Sequence, residues 1–148
     1  VQVESALRAS EYRYQTLANL SPVGIFHTDA QSCCLYVNNR WCEITGISLS
    51  QAMGDGWMRA IHPEDRTRVQ TSWYRCSQEN LPFATETRFQ RPDGSCLWAF
   101  VQAVAQQGND GQVVGYIGTV TDITYRVESE QVLQRNAAEI HDLYNNAP

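Results

Sequence analysis

Three long strand segments set off by two turns of the kind that tolerate tight dihedrals constrain this chain most. They run Phe83–Arg91, Ser95–Gln106 and Gln112–Ile123, and between them stand Arg91-Pro92-Asp93-Gly94 and Gly108-Asn109-Asp110-Gly111. Turns of this composition join neighbours in sequence, so consecutive strands are expected to pair antiparallel as hairpins. The last strand carries Gly115 and Gly118 within Val113–Val120, which predicts a close backbone approach or a bulge there. The chain ahead of these strands is more varied. Val3, Leu7, Ser10, Tyr14 and Leu17 alternate steps of four and three, the spacing of one helix face. Ser21-Pro22-Val23-Gly24 breaks that helix, and Ile25–Asp29 and Cys33–Val37 read as a short hairpin about the turn Ala30-Gln31-Ser32.

Asn38-Asn39 suits a helix N-cap. From Asn39 to Ala60 only short helical pieces are expected, with Trp41, Ile44, Met53, Trp57 and Ile61 available to pack inward. His62-Pro63-Glu64-Asp65 reads as a helix start with Pro63 at the first helical position, and that helix is expected to continue to Ser77 or Glu79. After Ile123 the apolar spacing changes period again, at Leu133, Ala137, Ile140, Tyr144 and Ala147. A helix from Thr124 to Asn146 would be about 35 Å long, more than one small domain needs for its own cover, so its stripe is expected to meet a partner helix.

Composition narrows the class. The 148 residues suit one domain with appended helix, and 43% hydrophobic with 18% charged residues is an ordinary globular balance. Eleven Lys and Arg against sixteen Asp and Glu give a net charge of −5, with no basic stripe to track phosphates, so no nucleic-acid partner is expected. No stretch approaches the roughly 18 apolar residues that span a bilayer, and no basic region followed by an apolar run opens the chain. A cytoplasmic fragment beginning inside a longer protein is the resulting expectation, with any membrane anchor elsewhere in that protein. Cys33, Cys34, Cys42, Cys76 and Cys96 show no C-x-x-C spacing and are expected as buried free thiols, Cys33 and Cys34 pointing to opposite faces of a strand.

The order of parts and several motifs resemble the PAS family. Ser21-Pro22-Val23-Gly24-Ile25-Phe26 is similar to the entry into its first strand, and Tyr36-Val37-Asn38 with Thr45-Gly46 to the second strand and first short helix. His62-Pro63-Glu64-Asp65, Arg91-Pro92-Asp93-Gly94, Trp98, Gly111, Gly115, Gly118 and Asp122-Ile123-Thr124 follow the family's pattern in order and spacing. The resemblance covers roughly Leu17 to Val127. It implies an α+β fold: a five-stranded antiparallel sheet in the order 2-1-5-4-3, helices on one face around a cavity, and flanking helices at both ends. The chain then divides into an N-terminal flanking helix (1–20), a PAS domain (21–124, its PAC-like part about 83–124) and a C-terminal connector (125–148). The implied role is sensing or relay without catalysis by this chain, inside a sensor histidine kinase of a two-component phosphorelay or a diguanylate cyclase.

The resemblance places signal transfer at Asp122, Ile123 and Thr124, where the last strand meets the exit helix. Asp122 also stands where it could satisfy the free amides of a helix start. Leu17-Ala18-Asn19-Leu20-Ser21-Pro22 recurs as Leu143-Tyr144-Asn145-Asn146-Ala147-Pro148, which suggests that a second PAS domain begins there and that the parent is a tandem array. Homodimerisation is expected through the flanking helices, with Leu7, Tyr14, Leu133, Ala137 and Ile140 in the seam. Neighbouring PAS and output domains of the same chain are the other expected partners.

Three kinds of site chemistry can be weighed. The flavin-binding class of the family carries its photoadduct cysteine where this chain has Trp57, and Cys42 lies in the preceding helix. Haem-binding members use a histidine from the longer helix, whereas His62 lies at its very start, His27 on a strand and His141 on the exit helix. No cofactor is expected on these grounds, and His141 lacks a kinase dimerisation motif around it. Catalysis would need a base beside a nucleophile or ligands converging in space, and the three histidines fall on elements that keep them apart. The remaining site is a pocket between helices and sheet for a small-molecule ligand, lined by some of Phe26, Val37, Ile44, Trp57, Ile61, Phe89, Trp98, Phe100, Ile117 and Thr119. Plain core is the alternative reading of those ten.

Overall fold

The structure is a computed structural model and describes residues 2–146. Its elements run α1 (Gln2–Leu20), β1 (Gly24–Asp29), β2 (Cys34–Val37), α2 (Asn39–Thr45), α3 (Leu49–Ala52), a 3-10 turn (Gly56–Ala60), α4 (Arg66–Glu79), β3 (Phe83–Gln90), β4 (Cys96–Gln107), β5 (Val113–Asp122) and α5 (Thr124–Asn146). The five strands form one antiparallel sheet in the order β2-β1-β5-β4-β3. Gly94 and Gly111 adopt left-handed backbone in the two hairpin turns, at φ 89° and 81°. The close approach foreseen on β5 is real at Gly118, where an added Cβ would run into the Phe26 ring and the Gln102 carbonyl. The bulge lies on β5 as well: consecutive Gln106 and Gln107 of β4 face Gly115 and Val113, leaving Val114 as the extra residue.

Alternation along the strands sorts the sheet into two faces. One presents Phe26, Val37, Phe83, Phe89, Leu97, Ala99, Ala103 and Val120 to Trp41, Ile44, Ala52, Ala60, Ile61 and Val69, which come from the helices and the 3-10 turn, and together these form the core. The polar side chains in this region are satisfied. Asn38, only 1% exposed, is the N-cap of α2 and more than a cap. Its Oδ1 accepts from Trp41 N and Ile25 N, and its Nδ2 donates to the carbonyls of Ala18 and Val23, so one amide ties α1, β1 and α2 together. At the other end of α2, Gly46 takes the left-handed cap at φ 76° and Arg91 donates to the free carbonyls of Glu43 and Ile44.

Both edges of the sheet are clipped by main chain. On β2, Cys34 and Gly54 exchange two backbone hydrogen bonds, of 2.7 and 3.1 Å. On β3, Ile61 bridges to Phe89 and the His62 amide donates to the Arg88 carbonyl at 2.9 Å.

Two expectations are corrected. The long helix begins at Arg66, after Pro63, because 62–65 form a turn closed by Asp65 N–H on the His62 carbonyl and the Asp65 carboxylate is engaged across the sheet edge instead of capping. The cysteines are not uniformly buried: Cys34 is, Cys42 and Cys76 are half-buried, and Cys33 and Cys96 are exposed because they sit in or beside turns. The recurrence at Leu143–Pro148 ends on Ala147 and Pro148, which lie outside the described residues.

Candidate functional site

Between the helices and the inner face lies a cavity of about 50 Å³. Its wall comprises Phe26, Thr28, Cys34, Trp41, Trp57, Ile61, Val69, Trp73, Phe83, Thr87, Phe89, Val101 and Val120. The hydroxyls and thiol of this wall are paired: Thr28 Oγ1 donates to the Asp29 carbonyl, Thr87 Oγ1 donates to Asp65, and Cys34 Sγ donates to the Tyr36 carbonyl. Burial pushes the Cys34 thiol up to about 11, so at neutral pH it stays protonated and is a poor nucleophile.

Two indoles close one end of the cavity on a single residue. Trp57 Nε1 donates to the Ser32 carbonyl at 3.3 Å and Trp73 Nε1 to Ser32 Oγ at 2.7 Å. Ser32 holds a left-handed backbone at φ 67°, unusual for a residue with a side chain. Trp73 also meets Trp57, Phe83 and Tyr116 edge-on, with centroids 6.3, 5.1 and 5.1 Å away.

Of the ten residues expected to line one pocket, Phe26, Trp57, Ile61 and Phe89 do so. Val37 and Ile44 are buried core beside it. Trp98, Phe100, Ile117 and Thr119 lie on the opposite face, the correction following from strand alternation: their inward neighbours on β4 and β5 are Leu97, Ala99, Val101, Gly118 and Val120. On that outer face Ile117 and Thr119 border a shallow, open groove with Ile25, Val104 and Tyr14 of α1. Sequence reasoning passed over Trp73 and Ser32. Trp73 sits four residues after Val69 on α4, a spacing that places both on one helix face.

The cavity as shaped is far below the roughly 300–1,000 Å³ of drug-sized ligand sites. A flavin therefore does not fit it. Neither does a haem, because His27 faces outward, bonded to Gln106 at 2.9 Å, and His62 uses Nδ1 to accept from Glu64 N. Among the described residues no group of three or more His, Cys, Asp or Glu is arranged to hold a metal, and no helix is long and apolar enough to cross a membrane.

At the far end of β5, Asp122 Oδ1 accepts from Thr124 N at 3.0 Å and Thr124 Oγ1 at 2.7 Å. Ile123 N donates to the Trp98 carbonyl at 2.9 Å, and Trp98 N donates to Thr124 Oγ1 at 3.0 Å. The corner is thereby sewn to β4. Arg126 pairs with Glu86 of β3, a second tie from the first turn of α5. Past residue 130 every described residue of α5 is exposed, with Leu133 at 66% and Ile140 at 67%, and Ala137 between them. On α1, Leu7 is exposed and Tyr14 packs on Tyr36 at 6.1 Å.

Comparison with known proteins fits this geometry. A family profile described as PAS fold matches residues 34–120. The peroxide stress-activated histidine kinase mak1 of Schizosaccharomyces pombe is 29% identical over 148 residues, covering 94% of this chain and 9% of that protein. Sporulation kinase C of Bacillus subtilis is 27% identical over 144 residues, covering 89% of this chain and 32% of that protein. The chain thus spans about a third or less of the length of these relatives. The crystal structure of a PAS domain from Colwellia psychrerythraea superposes with a TM-score of 0.68 at 23% identity, over 77% of this chain and 97% of that one. Strand order, the helices packed on one face and the matched profile agree, and the chain belongs to the PAS-fold family.

Proposed function

We propose that this chain is a sensing and relay module of a multidomain signalling protein, working without catalysis of its own and passing its state to an output domain through α5. The observation that carries the reading is the contrast along α5: its first turn is sewn to β4 and β3, and everything beyond stands free with an unpartnered apolar stripe. A helix fixed at one end to the sheet turns or shifts when the sheet does. Its exposed Leu133, Ala137 and Ile140, with Leu7 and Tyr14 of α1, suit a homodimer seam that would carry such a movement onward. The kinase relatives favour a histidine kinase of a phosphorelay as output, with a diguanylate cyclase second, since a probable diguanylate cyclase of Escherichia coli is also 24% identical over 127 residues. A cytoplasmic position and a neighbouring PAS domain after Asn146 go with this reading.

Replacing Leu133 and Ile140 together with Asp tests it. The expected result is a loss of dimer in sedimentation, with unfolding changed by no more than about 0.5 kcal/mol, the usual scale for exposed sites. An unchanged dimer fraction would remove the helices from the assembly. A second reading is a receptor for a ligand small and apolar enough for the enclosed apolar cavity; denaturing mass spectrometry of purified protein showing a stoichiometric small molecule would support it.

A further inference from the structure

Arg88 occupies a place that neither the cavity nor the exit corner explains alone. It lies on β3, an edge strand, on the outward face opposite Trp98. Its main chain and side chain together fix the turn that carries the cavity wall. The Arg88 carbonyl accepts from His62 N at 2.9 Å, and its amide donates to Asp65 Oδ2 at 2.9 Å. Nε and Nη2 hold the Asp65 carboxylate at 3.1 and 2.9 Å, and Nη2 reaches Glu64 at 3.1 Å. Immediately before this turn, Ile61 bridges to Phe89, and both line the cavity. A displacement of Ile61 or Phe89 is therefore a displacement of the groups bonded to Arg88.

The same guanidinium lies 5.7 Å from the centre of the Trp98 ring. Cation–π contact of this kind is worth about 0.5–1 kcal/mol where partly exposed. Trp98 is the residue whose backbone grips Ile123 and Thr124 on both its N–H and its C=O. One guanidinium thus bonds the cavity-side turn and lies over the ring of the corner's anchor.

We propose that Arg88 is a positioning residue that couples the cavity wall at Ile61 to the exit corner at Thr124; this rests on the relay function proposed above. Arginine suits the task as lysine would not, because an ammonium keeps the charge but cannot bind a carboxylate with two parallel N–H groups while presenting a flat face to an indole.

The experiment uses the 148-residue chain and follows hydrogen exchange at Val127, whose amide donates to the Ile123 carbonyl at 3.0 Å across the first turn of α5. Ile61→Val trims the cavity wall by one methylene. In the native background it is expected to speed Val127 exchange by about threefold, the scale of coupling between connected residues. In an Arg88→Lys background the same trim is expected to leave Val127 exchange unchanged. Should Arg88→Lys fail to fold, Trp98→Leu keeps the Asp65 pair and the backbone bonds to Ile123 and Thr124 while removing the aromatic face, and it is expected to uncouple the two sites equally. Equal acceleration by Ile61→Val in native and variant backgrounds would overturn the proposal, since a merely structural ion pair gives that result. If Val127 responds as expected while the output of the full-length parent ignores Ile61→Val, the clamp stands and the relay function falls.

Discussion

The two faces of the sheet are made by the same strands and differ in what completes them. On the inner face small strand residues, Ala99, Val101 and Ala103, meet large helix-borne ones, and buried polar atoms such as those of Asn38 and Thr87 are paired within the chain. On the outer face the large residues are on the strands themselves, at Trp98, Phe100 and Ile117, and are half-covered, while Val104 is 51% exposed. Among the described residues one buried side-chain oxygen is without a partner, the Tyr36 hydroxyl under Tyr14. One face is a finished core; the other is a surface whose apolar area is available. The difference teaches that residue size on a strand does not report its direction. Packing volume is shared between layers, and a face covered by tryptophans needs small partners.

The sharpest way to break this contrast is truncation. Phe89→Ala on the inner face is expected to cost about 3–5 kcal/mol, and Phe100→Ala on the outer face about 1 kcal/mol, in urea unfolding. Equal costs would mean that the outer face is as well packed as the core. Asp65, which joins the faces round the β3 edge, comes next. Hydrogen bonds from the Arg88 side chain, opposed by burial, hold its carboxyl at about 2 against an ordinary 3.8. A depressed folded-state pKa contributes stability that is complete above about pH 4 and is lost as pH falls towards 2, worth about 2 kcal/mol in all. Asp65→Asn is expected to remove that amount at pH 7 and to flatten the acid limb between pH 4 and 2, read by chemical unfolding at several pH values. The smallest effect tests the indole closure of the inner face. Ser32→Ala leaves the Trp73 N–H without its acceptor and is expected to cost about 1 kcal/mol, with a change in tryptophan emission.

How much of this was legible in the sequence depends on whether the cause was local. The hairpins, the Asn38 cap and the period of α5 were readable because turn chemistry and capping act within a few residues. Strand order came from the PAS resemblance and not from the residues. The face of Trp98 and Phe100 was misjudged because both are bulky and their spacing says only that they point the same way. The start of α4 was misjudged because Pro63 suits a first helical turn locally, while the claim on Asp65 comes from Arg88, distant in sequence. Ser32 and Trp73 meet across 41 residues, and no local pattern announces such a pair.

The clipped edges have a consequence for growth. A sheet lengthens by offering unpaired amides and carbonyls to another strand, and here Gly54 and the His62 turn already occupy part of that offer on the outermost strands at both ends. Copies of this chain that meet side by side find little backbone to zip together. That leaves side chains on the helices and the open face as the apolar surface a partner could meet.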